Sequence, residues 1–348
     1  MPYQRIQLIL LSLCHLLVDG ICATVLINDP GDAAWAASLL LYNTMAFSTQ
    51  CLTGMLPDKY GRGESFVLLS ALLLAVGAAG ASLPLLLRSV FLGLGNSLFH
   101  VSGGYITLKE SDNMTPLGIF VSPGAVGLFL GGTFPGLRIP FMGLLMLLAG
   151  LLALGAEKRG KEERSSGEKP GIQAPVLPED SLTWKGAALY AGFLLLAIAA
   201  RALGGAAVSF PWKNGLLPAL LLTLAVFLGK CSGGFLADRF GIKKIALLSA
   251  PLAMILTAFC GQWMLPSLLG QWALNLSMPI TLYLIYRLYP NSPGFAFGLA
   301  ASALWPGVLL GNIVRPSGFW APLMVLVCLG TGLAAILLTE RRLTHEKN

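Results

Sequence analysis

Long apolar stretches alternate with short polar segments along this chain. Twelve of the stretches are close to the roughly 20 residues that a helix needs to cross a bilayer, and none alternates apolar and polar residues as a barrel strand does. Backbone groups in hydrocarbon need partners within their own segment, so each stretch is predicted to be a helix. The predicted helices cover residues 6–27, 33–54, 65–82, 84–108, 117–134, 139–156, 186–208, 215–237, 244–264, 266–289, 294–314 and 319–339.

Composition agrees with a membrane environment. Hydrophobic residues make up 55% of the 348 residues, charged residues make up 11%, and the mean hydropathy is +0.75. A soluble domain has about 25% charged residues. The first stretch contains His15 and Asp19, exceeds a signal peptide in apolar length, and is not followed by a small-residue cleavage site. We therefore expect it to remain in the mature protein.

One long polar segment divides the twelve stretches into two sets of six. Its charges and prolines cannot bury enough apolar surface to fold alone, so it is predicted to be a linker. The predicted fold class is an all-α membrane protein. Its predicted parts are an N-terminal six-helix bundle over residues 1–155, a cytoplasmic linker over 156–185 and a C-terminal six-helix bundle over 186–348.

A charged loop follows the second apolar stretch of each half. The first loop is GMLPDKYGRG, residues 54–63, and the second is GGFLADRFGIKK, residues 233–244. Matching residues lie 180 positions apart in three pairs, which are Gly54 and Gly234, Asp58 and Asp238, and Gly61 and Gly241. An internal repeat at one spacing predicts that the two halves are related in structure.

These loops resemble the motif G-x-L-x-D-x-x-G-R-[RK], which follows the second helix in the major facilitator superfamily and has a weaker copy after the eighth. Pro57 and Gly63 depart from the pattern. The resemblance implies twelve transmembrane helices in two pseudo-symmetric bundles, and loops that act as a conformational latch when the central cavity faces outward. The matching residues are Gly54, Asp58, Lys59, Gly61 and Arg62 in the first loop, and Gly234, Asp238, Arg239 and Gly241 in the second.

The fifth predicted helix resembles the antiporter motif of the same superfamily. Gly118, Pro123 and Gly127 match the pattern G-x-x-x-G-P-x-x-G-G, whereas Ser122 and Val126 replace two of its glycines. A proline removes one backbone hydrogen bond and kinks the helix, and glycines let helices pack closely. Two interpretations stay open: a motif that favours antiport, and glycine-rich packing without any bearing on transport direction.

Few ionisable residues fall within the predicted spans, and such residues usually face a cavity and serve function. His15 and Asp19 share one face of the first helix, His100 lies on the fourth and Arg201 on the seventh; Asn275 adds an amide on the tenth. Helices one, four, seven and ten line the central cavity of the superfamily. The resemblance therefore implies that these five residues line one cavity.

Asp19 is predicted to be the proton-coupling carboxylate, with His15 as its neighbour. His100 is a candidate second ligand for a proton or substrate. Arg201 is expected either to pair with Asp19 or to hold an anionic group. Lys230 lies near the end of the eighth helix, where a lysine can extend into the interface, and a role in the cavity is the alternative for it.

A narrower resemblance is to fosmidomycin-resistance-type efflux proteins. It rests on HLLVD in the first helix and GLGNSLFHVSGG in the fourth, which include His15, Asp19, Phe99 and His100. Val101 and Ser102 follow the second histidine here, whereas members of that type tend to have a proline and an acidic residue.

Together these features predict a secondary active transporter that works by alternating access, as a proton-coupled exporter of a small organic compound. Its expected partners are that substrate and the lipid bilayer. No cofactor, resident metal or nucleic acid is expected. The protein is expected to be a monomer. One alternative is a divalent metal exporter with His15, Asp19 and His100 as ligands. Another is a non-transporting membrane receptor or assembly factor. An enzyme is not expected, because hydrolase and phosphate-binding motifs are missing from the sequence.

Most of the 23 Lys and Arg residues fall on one side of the predicted spans if the N-terminus is inside. Because Lys and Arg accumulate on the cytoplasmic side, both termini are predicted to be cytoplasmic, in a bacterial inner membrane. The same surface explains the net charge of +7. All six cysteines fall within the predicted spans, so no disulfide framework is expected.

Overall fold

The computed structural model describes residues 2–27, 33–80, 82–166, 184–314 and 316–345. Within these ranges all regular elements are helices, including a π-helix at Thr44–Ser48 and a 3-10 helix at Pro135–Leu137. The α-helices in chain order are α1 (Pro2–Leu26), α2 (Ala33–Asn43), α3 (Gln50–Thr53), α4 (Met55–Tyr60), α5 (Gly63–Ala79), α6 (Leu85–Glu110), α7 (Met114–Val121), α8 (Pro123–Thr133), α9 (Arg138–Ser166), α10 (Trp184–Ala206), α11 (Leu216–Phe240), α12 (Ile242–Phe259), α13 (Met264–Asn275), α14 (Ser277–Leu288), α15 (Pro293–Ser302), α16 (Leu304–Ile313) and α17 (Trp320–His345).

Ten helical segments in the described ranges are long and apolar enough to cross a membrane. Some of them combine two consecutive helices. The other two predicted spans coincide with α5, which has 17 residues, and with the interrupted run from α2 to α4. The ten segments are Gln4–Leu26, Leu85–Glu110, Met114–Thr133, Pro135–Gly160, Trp184–Ala206, Leu216–Phe240, Ile242–Phe259, Met264–Leu288, Pro293–Ile313 and Trp320–Thr344.

Helix α9 runs beyond its predicted end and includes the first part of the predicted linker. Arg159 explains the extra turns, because its guanidinium lies 2.9 Å from a carboxylate oxygen of Glu64 and 3.3 Å from one of Glu110. Those two ion pairs hold the end of α9 against α5 and α6. The rest of the predicted linker, residues 167–183, lies outside the described residues.

Three of the membrane-length segments are interrupted next to a proline. The interruptions are at Ser122, Leu276 and Ala303, and the prolines are Pro123, Pro279 and Pro306. A proline has no N–H to donate to the carbonyl four residues earlier, so the helical hydrogen-bond ladder is broken there. The predicted kink at Pro123 is confirmed by the separation of α7 from α8.

Large apolar side chains cover much of the outer helix surface. Ile139, Leu248 and Ile313 are each exposed over about two thirds of their area. The interior is filled by a different set, in which Phe99, Phe120 and Phe297 are buried. Apolar residues both outside and inside are the pattern of helices that face lipid on one side and protein on the other.

Candidate functional site

The loop that contains Asp58 contacts the opposite half of the chain. The Asp58 carboxylate accepts hydrogen bonds from the backbone N–H groups of Gly294 and Phe295, at 2.8 and 2.7 Å. These donors lie in the first turn of α15, where N–H groups have no partner within the helix. Burial raises the pKa of the Asp58 carboxyl, and the two N–H donors oppose that shift.

The second loop makes the same contact in the reverse direction. Asp238, near the end of α11, accepts hydrogen bonds from the backbone N–H groups of Met114 and Thr115, at 2.9 and 2.7 Å, and from the Thr115 hydroxyl. Met114 and Thr115 are 180 positions before Gly294 and Phe295. We call the contacts of Asp58 and Asp238 with these four residues the latch, and the end of the molecule where they lie the latch end.

Glycines let the two halves meet at the latch without intervening side chains. A Cβ at Gly54 would lie 2.2 Å from the carbonyl oxygen of Gly294, and one at Gly234 would lie 2.2 Å from that of Met114. Both distances are impossible for a real Cβ, so these two positions require glycine. Gly61 and Gly241 follow α4 and α11 with φ of 65° and 90°, in the region that favours glycine.

The basic residues of the two loops lie at the surface beside the latch. Lys59 lies over the ring of Tyr60, 5.4 Å from its centroid, and Arg239 lies 5.6 Å from the ring centroid of Phe240. Arg62 is exposed as well. The carboxylates and glycines therefore join the two halves, whereas the neighbouring basic groups face solvent.

A polar cluster lies deeper, where α1 meets α6. The Asp19 carboxylate oxygens lie 3.4 Å from His15 Nε2 and 3.8 Å from His100 Nε2, and Asn96 Nδ2 donates to Asp19 Oδ1 at 2.9 Å. The two imidazole rings meet edge to face, with centroids 4.5 Å apart. The Asp19 and His100 side chains are 13% and 16% exposed, so the cluster is accessible on one side. We call these four residues the Asp19 cluster.

The interruption before Pro123 orients His15. Pro123 leaves the Ile119 carbonyl without its helical donor, and the Ser12 hydroxyl donates to that oxygen at 3.3 Å. His15 Nδ1 lies 2.7 Å from the next carbonyl oxygen, that of Phe120. A carbonyl oxygen only accepts, so His15 Nδ1 carries a hydrogen and Nε2 faces Asp19.

His100 is held in the same way. Its Nδ1 lies 2.9 Å from the carbonyl oxygen of Asn96, one turn earlier on α6, so its Nε2 also faces Asp19. Two unprotonated Nε2 atoms and an ionised carboxylate are all acceptors and repel one another. The arrangement is favourable when a proton is bound to one of them or when a cation is held among them. One ligand atom from each of His15, Asp19 and His100 lies within 4.8 Å of the other two, which is close enough to share a proton or to hold a cation.

Two basic residues of the second half, Arg201 and Lys230, are half-buried. The Arg201 guanidinium donates to the Ser277 hydroxyl at 3.3 Å and forms no ion pair with Asp19 in the described part of the chain. Lys230, half-buried on α11, lies within electrostatic range of Asp19, His100 and Arg201. That proximity favours the alternative for Lys230, a role in the cavity.

Asn275 makes its hydrogen bond within its own helix. Its amide donates to the carbonyl of Gln271 at 2.8 Å, and a Cβ at Gly229 would lie 2.8 Å from the Cβ of Asn275. Asn275 thus packs α13 against α11, next to Lys230.

Comparison with known proteins gives a clear result for structure alone. No protein-family model matches the chain, and no curated protein sequence does. The chain matches the crystal structure of a variant of the E. coli fucose:proton symporter, FucP, with a TM-score of 0.67 and 14% identity over 97% of this chain and 99% of the other. It also matches a major facilitator superfamily transporter, FucP, in the outward conformation, with a TM-score of 0.63 and 15% identity over 95% and 97%.

The chain has the major facilitator fold. The predicted fold class, an all-α membrane protein, is thereby confirmed over nearly the whole chain. Together with the ten apolar helices, this fold makes the protein an integral, multi-pass membrane protein.

Two residues of the site were missed from the sequence. Asn96 is one helical turn before His100, and that spacing was its only signal. Gly124 lies directly after Pro123, and a Cβ there would lie 2.3 Å from Asp19 Oδ2 and 2.6 Å from His15 Nε2. Gly124 therefore provides the space that the Asp19 cluster occupies within the facilitator fold.

The other glycines of the helix-five motif pack against backbone. A Cβ at Gly118 would lie 2.6 Å from the carbonyl oxygen of Lys230, and one at Gly127 would lie 2.0 Å from that of Leu16. Both contacts fit the packing interpretation of this motif.

Proposed function

We propose that this protein is a proton-coupled secondary transporter of a small organic compound and that Asp19 is its coupling carboxylate. The observation that carries the proposal is the Asp19 cluster, in which the Nε2 atoms of His15 and His100 face one carboxylate at 3.4 and 3.8 Å. Ionisable groups buried in a membrane protein usually serve transport or proton transfer. The fold supports the proposal, because the two matching structures named above are described as transporters, one of them as a fucose:proton symporter.

The proposal includes the full architecture of the superfamily: twelve spans in two pseudo-symmetric bundles, residues 1–155 and 186–348, joined by a linker over 156–185. The latch supports this architecture, since its partners repeat at 180 positions and each joins one half to the other. The proposal also has the latch end and both termini in the cytoplasm, in a bacterial inner membrane; the basic residues of the latch loops support this orientation. A molecule latched there has its cavity open to the outside.

Proton binding changes the attraction between the two halves. Asp19 on α1 interacts with Lys230 on α11, in the opposite half. An ionised Asp19 attracts the Lys230 ammonium, and a protonated Asp19 does not. Exchange of a proton at the Asp19 cluster therefore biases the distance between the halves, which is what alternating access requires. His15, His100 and Asn96 also face Asp19, and the thiol of Cys22 and the hydroxyl of Tyr42 lie near enough to interact with it.

Our working direction is export in exchange for protons, on the basis of the antiporter-like residues Gly118, Pro123 and Gly127. FucP is described as a symporter, so the experiment has to separate the two directions.

The test uses the full chain in liposomes with a pH-sensitive dye inside and a panel of sugars, organic acids and amines added outside. Inward movement of a solute acidifies the interior in symport and makes it alkaline in antiport. We expect Asp19→Asn to abolish the response, and Asp112→Asn, the same change in an exposed loop, to retain it. Solute-driven proton movement that persists in Asp19→Asn would contradict the proposed role of Asp19. A receptor or assembly factor would give no response to any solute.

A divalent metal ion is the second candidate substrate. The observation that favours it is the anchoring of both Nδ1 atoms to carbonyls, which leaves two Nε2 atoms and a carboxylate to converge, as in metal sites. Lys230 opposes it, since its charge repels a cation. Zn²⁺ or Mn²⁺ would have to raise the midpoint of thermal unfolding, Tm, of the wild type and not of Asp19→Asn.

A further inference from the structure

Two cations of the second half have no carboxylate partner within the described part of the chain. The Arg201 guanidinium has one hydrogen bond, to the neutral hydroxyl of Ser277 at 3.3 Å. The Lys230 ammonium has neither a hydrogen bond nor an ion pair with a protein group there. The two cations also interact with each other, and that interaction is repulsive.

Asp19 does not neutralise this pair. It is the one acidic residue within the predicted spans, and its oxygens already face His15, His100 and Asn96. Lys230 is near enough to interact with Asp19 and is not within ion-pair distance of it. When the Asp19 cluster holds its proton, the cluster is neutral, and both positive charges remain without a counter-charge.

The surroundings of Arg201 make the imbalance more unfavourable. One side of the residue faces a pocket between α10, α12, α13, α14 and α17, and alanine, leucine and isoleucine line most of it. Its polar lining consists of the hydroxyls of Ser249, Ser277 and Thr281, which carry no charge that could neutralise a guanidinium. Half-buried charges without partners are unfavourable and are kept where they bind something.

We propose that the transported compound is an organic anion whose carboxylate, phosphonate or phosphate group binds at Arg201, with Lys230 as a second attracting charge. The Arg201 guanidinium has a planar set of donors that matches such a group, and Lys230 lies on α11, which packs against α14 as α10 does. This inference rests on the proposed function and narrows its substrate to one chemical class. The anion and the proton then occupy separate places, the anion on the second half and the proton on the first.

The test compares matched acids and neutral analogues as stabilisers of the purified full chain in detergent. The pairs are galacturonate and galactose, benzoate and benzamide, glycerol 3-phosphate and glycerol, and methylphosphonate and its dimethyl ester, with inorganic phosphate added. Ionic strength is kept equal with sodium chloride, because salt screens charges. We expect at least one acid to raise Tm by several degrees while its neutral analogue does not.

The variants assign that stabilisation to the two cations. Arg201→Gln and Lys230→Met should each lose the Tm shift, Arg201→Lys should keep part of it, and Lys213→Gln, in an exposed loop, should keep all of it. In the absence of any acid, Lys230→Met should unfold at a Tm no lower than that of the wild type, since it removes an uncompensated charge. A lysine with a structural role would give a lower Tm.

The inference is wrong if no acid stabilises the wild type, if acids and neutral analogues shift Tm alike, or if the shift survives in both Arg201→Gln and Lys230→Met. Failure of the proposed function has a different signature: no solute would drive proton movement in liposomes, or Asp19→Asn would leave it unchanged. A neutral solute that drives movement dependent on Asp19 would keep the transporter and reject the anion.

Discussion

The two halves of the molecule match at the latch end and differ at the centre. Asp58 and Asp238 make equivalent contacts with residues that are also 180 positions apart. At the centre, Asp19 corresponds to Ala199, His100 to Ile280 and Lys230 to Gln50 at the same spacing. The repeated residues hold the halves together, and the residues without a counterpart carry charge. The two halves therefore share their contacts at the latch end, whereas each half contributes different charged residues at the centre.

Gly124→Ala should have the largest effect, because it disturbs the unrepeated centre. Its new Cβ would lie 2.3 Å from Asp19 Oδ2, so Asp19 and His15 have to separate. We expect solute-driven proton movement to fall to background, and stability to drop by about 1–3 kcal/mol, as for other overpacked sites. Dye-loaded liposomes measure the first effect and thermal unfolding the second.

Gly132→Ala is the matched control on the same helix. Its Cβ would lie 3.5 Å from Ile27, an ordinary contact, so coupling and Tm should both stay close to wild type. If proton coupling and Tm fell equally in both variants, the loss would reflect a general intolerance of α8 to added alanine. Gly124 would then have no special role at the Asp19 cluster.

Asp58→Asn should have the next largest effect, at the repeated latch. Asparagine has one acceptor oxygen where aspartate has two, so its NH2 group faces the backbone N–H of either Gly294 or Phe295 and that hydrogen bond is lost. Leaving a buried donor unpaired lowers the free energy of unfolding by about 1–3 kcal/mol. Hydrogen exchange in the first turn of α15 should become faster.

Asp238→Asn tests how similar the two latch contacts are. Asp238 is exposed whereas Asp58 is partly buried, so water can replace a lost hydrogen bond at Asp238. We expect faster exchange in the first turn of α7, with a smaller change than Asp58→Asn causes in α15. A larger change at α7 would reverse the ranking of the two contacts.

Arg159→Gln should have the smallest effect, at a feature that only the first half has. The residue at the corresponding position of the second half is Thr339. Partly exposed ion pairs are worth about 0.2–1 kcal/mol each, so Tm should fall slightly and proton coupling should not change. Loss of coupling in this variant would place α9 in the transport mechanism.

The fold could be predicted from the sequence because its signals are local and repeated. Apolar length predicted the helices, and the spacing between Asp58 and Asp238 predicted two related halves. The end of α9 could not be predicted, since it depends on Arg159 meeting Glu64 and Glu110, which lie far away in the chain.

The site was predictable only where its residues are rare in a membrane span. Asp19, His15 and His100 stood out as ionisable groups, and the structure brings them together. Asn96 is one neutral polar residue among many, and Gly124 is one of 41 glycines, so neither had a distinctive signal. Pairing with Asp19 was one of two expectations for Arg201, and its guanidinium donates to the Ser277 hydroxyl instead.

The interruption at Ser122 determines which parts of the protein move as one. Ser12 and His15 donate to the carbonyls beside the break, and Gly127 and Gly131 lie against the main chain of α1. The broken helix is thus clamped to its neighbour along its length. Bending at Ser122 would break these contacts, so we expect α1, α7 and α8 to move together and the Asp19 cluster to keep its geometry when they do.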